Sequence, residues 1–200
     1  MDIFKILIIT LISYLLGCLS LSIFLSKKVC GNDIRSCGSG NAGATNMARV
    51  YGFKMGLLTL AADVAKAVVS MLIGSCLLGD TGMCIAGCMC LVGHCFPALH
   101  GFKGGKGVSV GAAIIFFIDW RAGIITVAVF FLAAIISKRV SLGSICAAVS
   151  VFVSSLIFYV SLPRLILAAF TMIVVIVQHR KNIERLVKGN EPAFKLGHSK

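Results

Sequence analysis

Residues 3–28 read IFKILIITLISYLLGCLSLSIFLSKK, and the fold turns on how that run is read. Lys5 followed by an apolar stretch has the outline of a secretory leader. A leader carries an apolar core of roughly 7–15 residues and then a small-residue cleavage site. This run instead continues to about Ser26 and closes on Lys27-Lys28. Its length suits the ~20 apolar residues that a bilayer-spanning helix needs, so it is expected to persist as a membrane helix. The same ruler finds apolar segments at 3–26, 54–79, 83–100, 107–119, 122–137, 141–160 and 163–178. The expectation is an all-α polytopic membrane protein of about seven transmembrane helices, N-terminus outside and C-terminus cytoplasmic. Segments 107–119 and 122–137 are short; a re-entrant piece there would leave about five crossings and the same loops on the same face.

Composition agrees with that class. The 200 residues are 58% hydrophobic and 13% charged, with a mean hydropathy of +1.01, well outside the range of soluble domains. The stretches between apolar segments are too short to bury a core of their own, so 1–200 reads as a single integral membrane domain. The net charge of +12 is distributed by loop. Lys27, Lys28, Arg35, Arg49 and Lys54 fall in one connection, Lys103 and Lys106 in another, Lys138 and Arg139 in a third, and Arg180, Lys181, Arg185, Lys188, Lys195 and Lys200 in the tail. The alternate connections hold Asp80, Arg121 and Arg164. Basic loops stay cytoplasmic, so the charge reports topology, and no basic soluble domain exists to bind nucleic acid. The nine cysteines fall largely inside apolar segments, where a thiol behaves as a small apolar group. Neither a metal site nor a cofactor is expected, because Cys84, Cys88 and Cys90 lack partners at zinc-ligand spacing.

Three polar clusters converge on the predicted cytoplasmic face. The first is Gly38-Ser-Gly-Asn-Ala-Gly-Ala-Thr-Asn46, followed by Arg49. Its glycines match the dinucleotide fingerprint in spacing but follow a membrane helix rather than a buried strand, so the match is false. What survives is a row of small hydroxyl and amide side chains beside an arginine, a donor fork suited to phosphate or carboxylate; the alternative is an ordinary polar turn. The second runs Gly93-His-Cys-Phe-Pro97 and then His100-Gly-Phe-Lys-Gly-Gly-Lys-Gly107. Gly107 stands where a Walker A loop requires Ser or Thr, yet exposed amides, an ammonium and the start of a helix together make an anion cradle. His94, near the helix end that Pro97 imposes, is either a structural cap or a chemical group. The third cluster, from His179 through Asn182 to Glu191, puts His179 and Asn182 on one helix face three residues apart. Asp63 and Lys66, also three apart, can pair within a membrane segment as a structural ion pair or as part of a site.

Together these clusters resemble the PlsY family, the bacterial integral-membrane acyl-phosphate:glycerol-3-phosphate acyltransferases, along the whole chain. Small departures are visible: Ser109-Val110 replaces the usual Ala-Thr, which shifts a hydroxyl to Ser109, Leu99 replaces an aromatic, and Gln178 precedes His179 where Arg is common. The resemblance implies an acyltransferase of phospholipid biosynthesis in the cytoplasmic membrane. It would move a fatty acyl group from acyl phosphate to the 1-hydroxyl of glycerol 3-phosphate, giving lysophosphatidic acid and phosphate. Membrane lipids surround it, and no nucleic acid takes part. Arg49 and Lys106 would meet phosphate charge, and amides around Gly104, Gly105 and Gly107 the phosphoryl oxygens. Ser39, Asn41, Thr45 and Asn46 would bond substrate phosphate or hydroxyls, with Ser109 adding a contact. His179 is the candidate base or positioner, His94 the second, and Asn182 and Glu191 support them; alternatively a substrate phosphate takes the proton. The His-x4-Asp pattern of acyl-CoA-dependent relatives is missing, since Leu99, Gly105 and Glu184 stand five residues after His94, His100 and His179. The rival reading is a membrane transporter of a phosphorylated metabolite, which shares broken helices and glycine loops but needs a polar path through the midplane.

Overall fold

The computed structural model describes residues 2–158 and 160–194. Tyr159, within the segment expected at 141–160, and Lys195 and Lys200 of the basic tail lie outside the described residues. Helices α1 (Ile3–Cys18), α2 (Leu21–Lys28), α3 (Ala44–Tyr51), α4 (Phe53–Cys95), α5 (Val108–Ile118), α6 (Trp120–Ser137), α7 (Val140–Ile157), α8 (Leu162–Gln178) and α9 (Arg180–Val187) follow in order. Among the described residues, each apolar segment read from the sequence is helical over most of its length. Ile3–Lys28, Phe53–His100, Trp120–Ser137 and Val140–Ile157 are each long and apolar enough to cross a bilayer, as is α8 taken with α9 across their 60° bend.

α4 is a hairpin. Leu78 and Gly79 leave helical geometry, with Gly79 at φ 57°, and the two arms fold back on each other. A Cβ on Gly74 would lie 2.2 Å from the Gly82 carbonyl oxygen, so only glycine lets the arms approach this closely. In lipid, where apolar surface gives no drive for helix association, such close backbone packing is a main source of adhesion. Gly17 packs against Cys90 and Gly93 in the same manner and draws α1 onto the hairpin. Met71, Leu91, Ile114, Ile115 and Leu167, all fully buried, fill the space between α4, α5 and α8.

The first span, expected unbroken over 3–26, is interrupted. α1 stops at Cys18, and Ser20 caps the new start of α2 by accepting from the Ile23 amide. The break leaves the Leu19 carbonyl without a helical partner, and the buried Lys66 ammonium takes it at 2.7 Å.

α5 is short for a physical reason. Its 11 residues rise only about 16 Å, roughly half the hydrocarbon core. The loop before it dips into the bundle to make up the difference. The Gly104 amide donates to the Cys95 carbonyl at 3.2 Å and the Gly105 amide to the His94 carbonyl at 3.0 Å. Gly107, at φ 84°, lies a turn deeper among Leu91, Cys95 and Val175. On the opposite face Arg164 ties the bundle together, donating to Asp80 at 2.7 Å and to the Ile118 carbonyl at 2.9 Å.

Candidate active site

A cavity of about 390 Å³ opens between the α3–α4 side and the α6–α7 side, with α5 and α8 as its back wall. Its mouth is polar. Ser39, Asn41, Thr45, Asn46 and Arg49 come from the first cluster, His94, Lys106 and Ser109 from the second, and His179, Asn182 and Glu191 from the third. The inner limb is apolar, lined by Ile115, Val127, Phe130, Ala147, Ala148 and Val151. From Ser141 to Val151 along α7 it runs about 15 Å. Thr126, Ser144 and Thr171 are the polar residues at that depth, hydroxyls without charge; a transport path for a phosphorylated metabolite would need cationic groups there, and the limb's lining supplies none among the described residues.

The mouth is assembled by links between loops. Arg35, in a 3-10 turn over Ile34–Ser36, reaches across to donate to the carbonyls of His100 (2.6 Å) and Lys103 (3.2 Å), while Asp33 holds its other edge. That guanidinium keeps the Asp33 carboxyl well below the usual carboxylate range. Asn46 accepts from the Ser39 amide at 2.9 Å and donates to the carbonyls of Ile34, Cys37 and Asn41. Its amide is therefore fully engaged, and it shapes the loop rather than offering free donors as the sequence suggested.

The glycine amides depart from expectation too. Gly104 and Gly105 give their N–H groups to the end of α4, and Gly104, Gly105 and Gly107 all stand outside the cavity lining. Their role here is close approach. A Cβ on Gly105 would fall 2.1 Å from His94 Nε2, and one on Gly104 2.0 Å from the His94 carbonyl oxygen. The loop sets Lys106 in place, and Lys106 carries the charge.

Lys106 donates to Asn182 Oδ1. Burial pushes its ammonium down to about 8, with Arg185 and Arg49 adding to the shift and Glu191 opposing it. A cation so placed, near its titration point, gains from a phosphate brought alongside. Asn182 passes the contact on, donating to Glu191 Oε1 at 2.6 Å, where Ser141 also donates at 2.6 Å; Arg185 donates to Oε2 at 2.7 Å. Burial raises the Glu191 carboxyl, but these donors together outweigh it and hold the group below its ordinary value. Glu191 thereby fastens the chain after α9 across the mouth, where Phe194 lies 6.0 Å from the Arg49 guanidinium.

His179 sits at the bend between α8 and α9 rather than within one continuous helix, and it still shares the cavity with Asn182. Its Nδ1 lies 2.8 Å from the Val175 carbonyl. A carbonyl only accepts, so Nδ1 carries the proton and Nε2 is the free lone pair. Burial, with Lys106 nearby, pushes its pKa down to about 4, so the ring is neutral near pH 7. Asp63 and Lys66 pair at 2.9 Å as their spacing suggested, and His94 joins them, with Nδ1 3.0 Å from Lys66 Nζ. Sequence reading missed that third partner, the Arg35 clip, and Ser141 and Arg185. Arg185 was findable, since it stands three residues after Asn182 on the same face.

A model of the family described as glycerol-3-phosphate acyltransferase matches residues 7–189. The glycerol-3-phosphate acyltransferase of Thermoanaerobacter pseudethanolicus is 40% identical over 187 residues, covering 94% of this chain and 93% of its own. The one from Clostridioides difficile is 38% identical over 209 residues, with both chains covered in full. Among solved structures, PlsY, an integral membrane glycerol 3-phosphate acyltransferase, superimposes in its glycerol 3-phosphate form with a TM-score of 0.90 at 32% identity, covering 95% of this chain and 96% of that one. Its lysophosphatidic acid form gives 0.87 at 30% identity, over 95% of each chain.

Proposed function

The chain belongs to the glycerol-3-phosphate acyltransferase family, and from that premise we propose how its residues carry out the reaction. It is an integral membrane acyltransferase that acylates glycerol 3-phosphate to lysophosphatidic acid. We take acyl phosphate as the donor. The observation that carries the reading is one cavity with a cationic mouth, holding Arg49 and Lys106, that continues into an apolar limb. Two phosphates and one acyl chain need that shape. An extended chain advances about 1.2 Å per bond, so ~12 carbons fill the limb. Longer chains would leave past Phe131, which is 56% exposed on the lipid side.

In this mechanism Arg49, with Ser39, Asn41 and Thr45, holds one phosphate, and Lys106, positioned by Asn182, holds the other. The glycerol 1-hydroxyl attacks the acyl carbon. An ester C–O bond forms, the C–O bond to phosphate breaks, and phosphate departs. His179 Nε2 accepts the hydroxyl proton's hydrogen bond and orients the oxygen. At about 4, its pKa lies some 2 units below the ~6 of a phosphate monoester, a difference of about 3 kcal/mol. The departing phosphate is a stronger base still, because it leaves with the electron pair of the broken C–O bond, so the proton ends there. Orientation and fixed donors supply the acceleration, since the leaving group is already good.

The reading further takes 1–200 as one domain crossing the bacterial cytoplasmic membrane about seven times, with the site facing the cytoplasm. Support comes from the basic residues gathered on the site face, with Asp80 and Arg164 on the other. Membranes bearing the protein should form lysophosphatidic acid from acyl phosphate and glycerol 3-phosphate, and Arg49→Ala and Lys106→Ala should each abolish most of it. Product from acyl-CoA but none from acyl phosphate would overturn the donor. For orientation, a variant retaining only Cys37 should react with impermeant thiol reagents from the cytoplasmic side alone.

A further inference from the structure

Behind the cavity wall lies a buried cluster that the mechanism above leaves unused. Lys66 Nζ donates to the Leu19 carbonyl at 2.7 Å and stands 2.9 Å from Asp63 Oδ1 and 3.0 Å from His94 Nδ1. Asp63, Lys66 and His94 are 3%, 8% and 6% exposed. An ammonium has three protons and no lone pair. Three acceptors surround this one, and each takes a proton. His94 Nδ1 is then the accepting nitrogen, which places the ring proton on Nε2. Asp63 Oδ1 also lies 3.4 Å from Nδ1, but that oxygen already holds Lys66 at the shorter distance, and an Nδ1 proton would face the ammonium. His94 Nε2 has no hydrogen-bond partner among the described residues, and it is not one of the sealed polar atoms, which are Ser13 Oγ, Asp63 Oδ2 and Thr171 Oγ1. His94 itself lines the cavity.

His179 is arranged the other way, with its proton on Nδ1 toward the Val175 carbonyl. We propose that Lys66, anchored by the Leu19 carbonyl and Asp63, is a positioning residue that holds His94 as the Nε2–H tautomer. His94 then presents a donor to a substrate phosphate oxygen while His179 presents an acceptor to the hydroxyl. The two cavity histidines are fixed in opposite tautomers, one for each job. The break between α1 and α2 belongs to the same device, because an unbroken helix would satisfy the Leu19 carbonyl internally and leave Lys66 an acceptor short. The inference rests on the acyltransferase reading only for the identity of the oxygen that His94 meets.

The test is nitrogen NMR on 15N-histidine-labelled protein in bilayers without substrate, with signals assigned by His94→Asn and His179→Asn. Wild type should show Nε2–H for His94 and Nδ1–H for His179. Lys66→Met, which replaces the cation with an apolar chain, should move His94 toward Nδ1–H, leave His179 unchanged, and raise the KM for a phosphate substrate about tenfold or more. Lys66→Arg should keep the wild-type tautomer. Nδ1–H on His94 in the wild type overturns the proposal, as does a KM rise in Lys66→Met with no change of tautomer. Should Lys66→Met fail to fold, seen as loss of the His179 signal, the wild-type tautomer decides alone. Correct tautomers in a protein that makes no lysophosphatidic acid would overturn the acyltransferase reading and leave this one standing.

Discussion

The buried ammonium of Lys106 makes the sharpest prediction, because its charge is in play at ordinary pH. With its pKa pushed down to about 8, free enzyme is charged below that pH and loses the charge tenfold per unit above it. The apparent kcat/KM for glycerol 3-phosphate, which reports the free enzyme, should be level from pH 7 to about 8 and then fall. Once a phosphate is bound beside it, the ammonium is harder to deprotonate. Unit charges 4 Å apart at an effective dielectric of 20 attract by about 4 kcal/mol, or roughly 3 pKa units at 1.36 kcal/mol each. Apparent kcat, which reports the bound complex, should therefore stay level to at least about pH 10. The assay is initial-rate formation of lysophosphatidic acid in membranes across pH 6.5–9.5, with spontaneous hydrolysis of acyl phosphate subtracted. Lys106→Met should lose a charge-assisted hydrogen bond of about 1.5–3 kcal/mol, some 10- to 150-fold in kcat/KM. Lys106→Arg should lower the rate for lack of the right shape yet abolish the alkaline limb, since a guanidinium stays charged. A kcat/KM that stays flat from pH 8 to 9.5, or a limb that survives in Lys106→Arg, would refute the reasoning.

Other expectations follow from the same contacts. His179→Asn, which misplaces the attacking hydroxyl, should cut kcat by about 100-fold, and the wild-type kcat should show no step near pH 6.5, because the ring is already neutral there; a step that disappears in His179→Asn would contradict the buried, lowered value. Glu191→Ala leaves Asn182, Ser141 and Arg185 without their acceptor and should lower the melting temperature, by the equivalent of about 1–3 kcal/mol. A carboxyl held below its ordinary 4.5 stabilises the fold above that pH and loses the contribution as pH falls through the lowered value, so wild type and variant should converge in stability in acid; a gap that widens there would count against the clamp. Thr171→Val removes a buried hydroxyl that has no partner among the described residues and should leave the melting temperature equal or higher, whereas a loss of more than about 1 kcal/mol would mean the hydroxyl is satisfied after all.

The helices were legible because hydropathy is a local property: each apolar segment can be counted off without knowing its neighbours. The polar mouth was legible in outline for the same reason, as its residues cluster in three short stretches. What escaped was set by contacts across long separations. Nothing near Leu19 announces that its carbonyl belongs to Lys66, and nothing near Arg35 points to His100. The glycines at 104 and 105 were visible, but not the direction of their N–H groups, which the ends of α4 claim. Asn46 is a different case: its partners lie in its own loop and engage both protons of its amide, which residue type alone does not reveal.

The ion pair inside the α4 hairpin bears on how the chain is inserted. An Asp or a Lys near the centre of a membrane segment opposes insertion by about 2.5–3.5 kcal/mol each, and Asp63 and Lys66 sit near the middle of the arm over 53–77. That arm can neutralise part of the penalty by itself, but its other two acceptors, Leu19 and His94, come from the helix made before it and the arm made after it. Released alone into lipid, it would hold a charge with most of its partners absent. The first three membrane segments are therefore expected to leave the insertion machinery together, so that the residues that set a histidine's proton also lower the cost of placing a lysine in lipid.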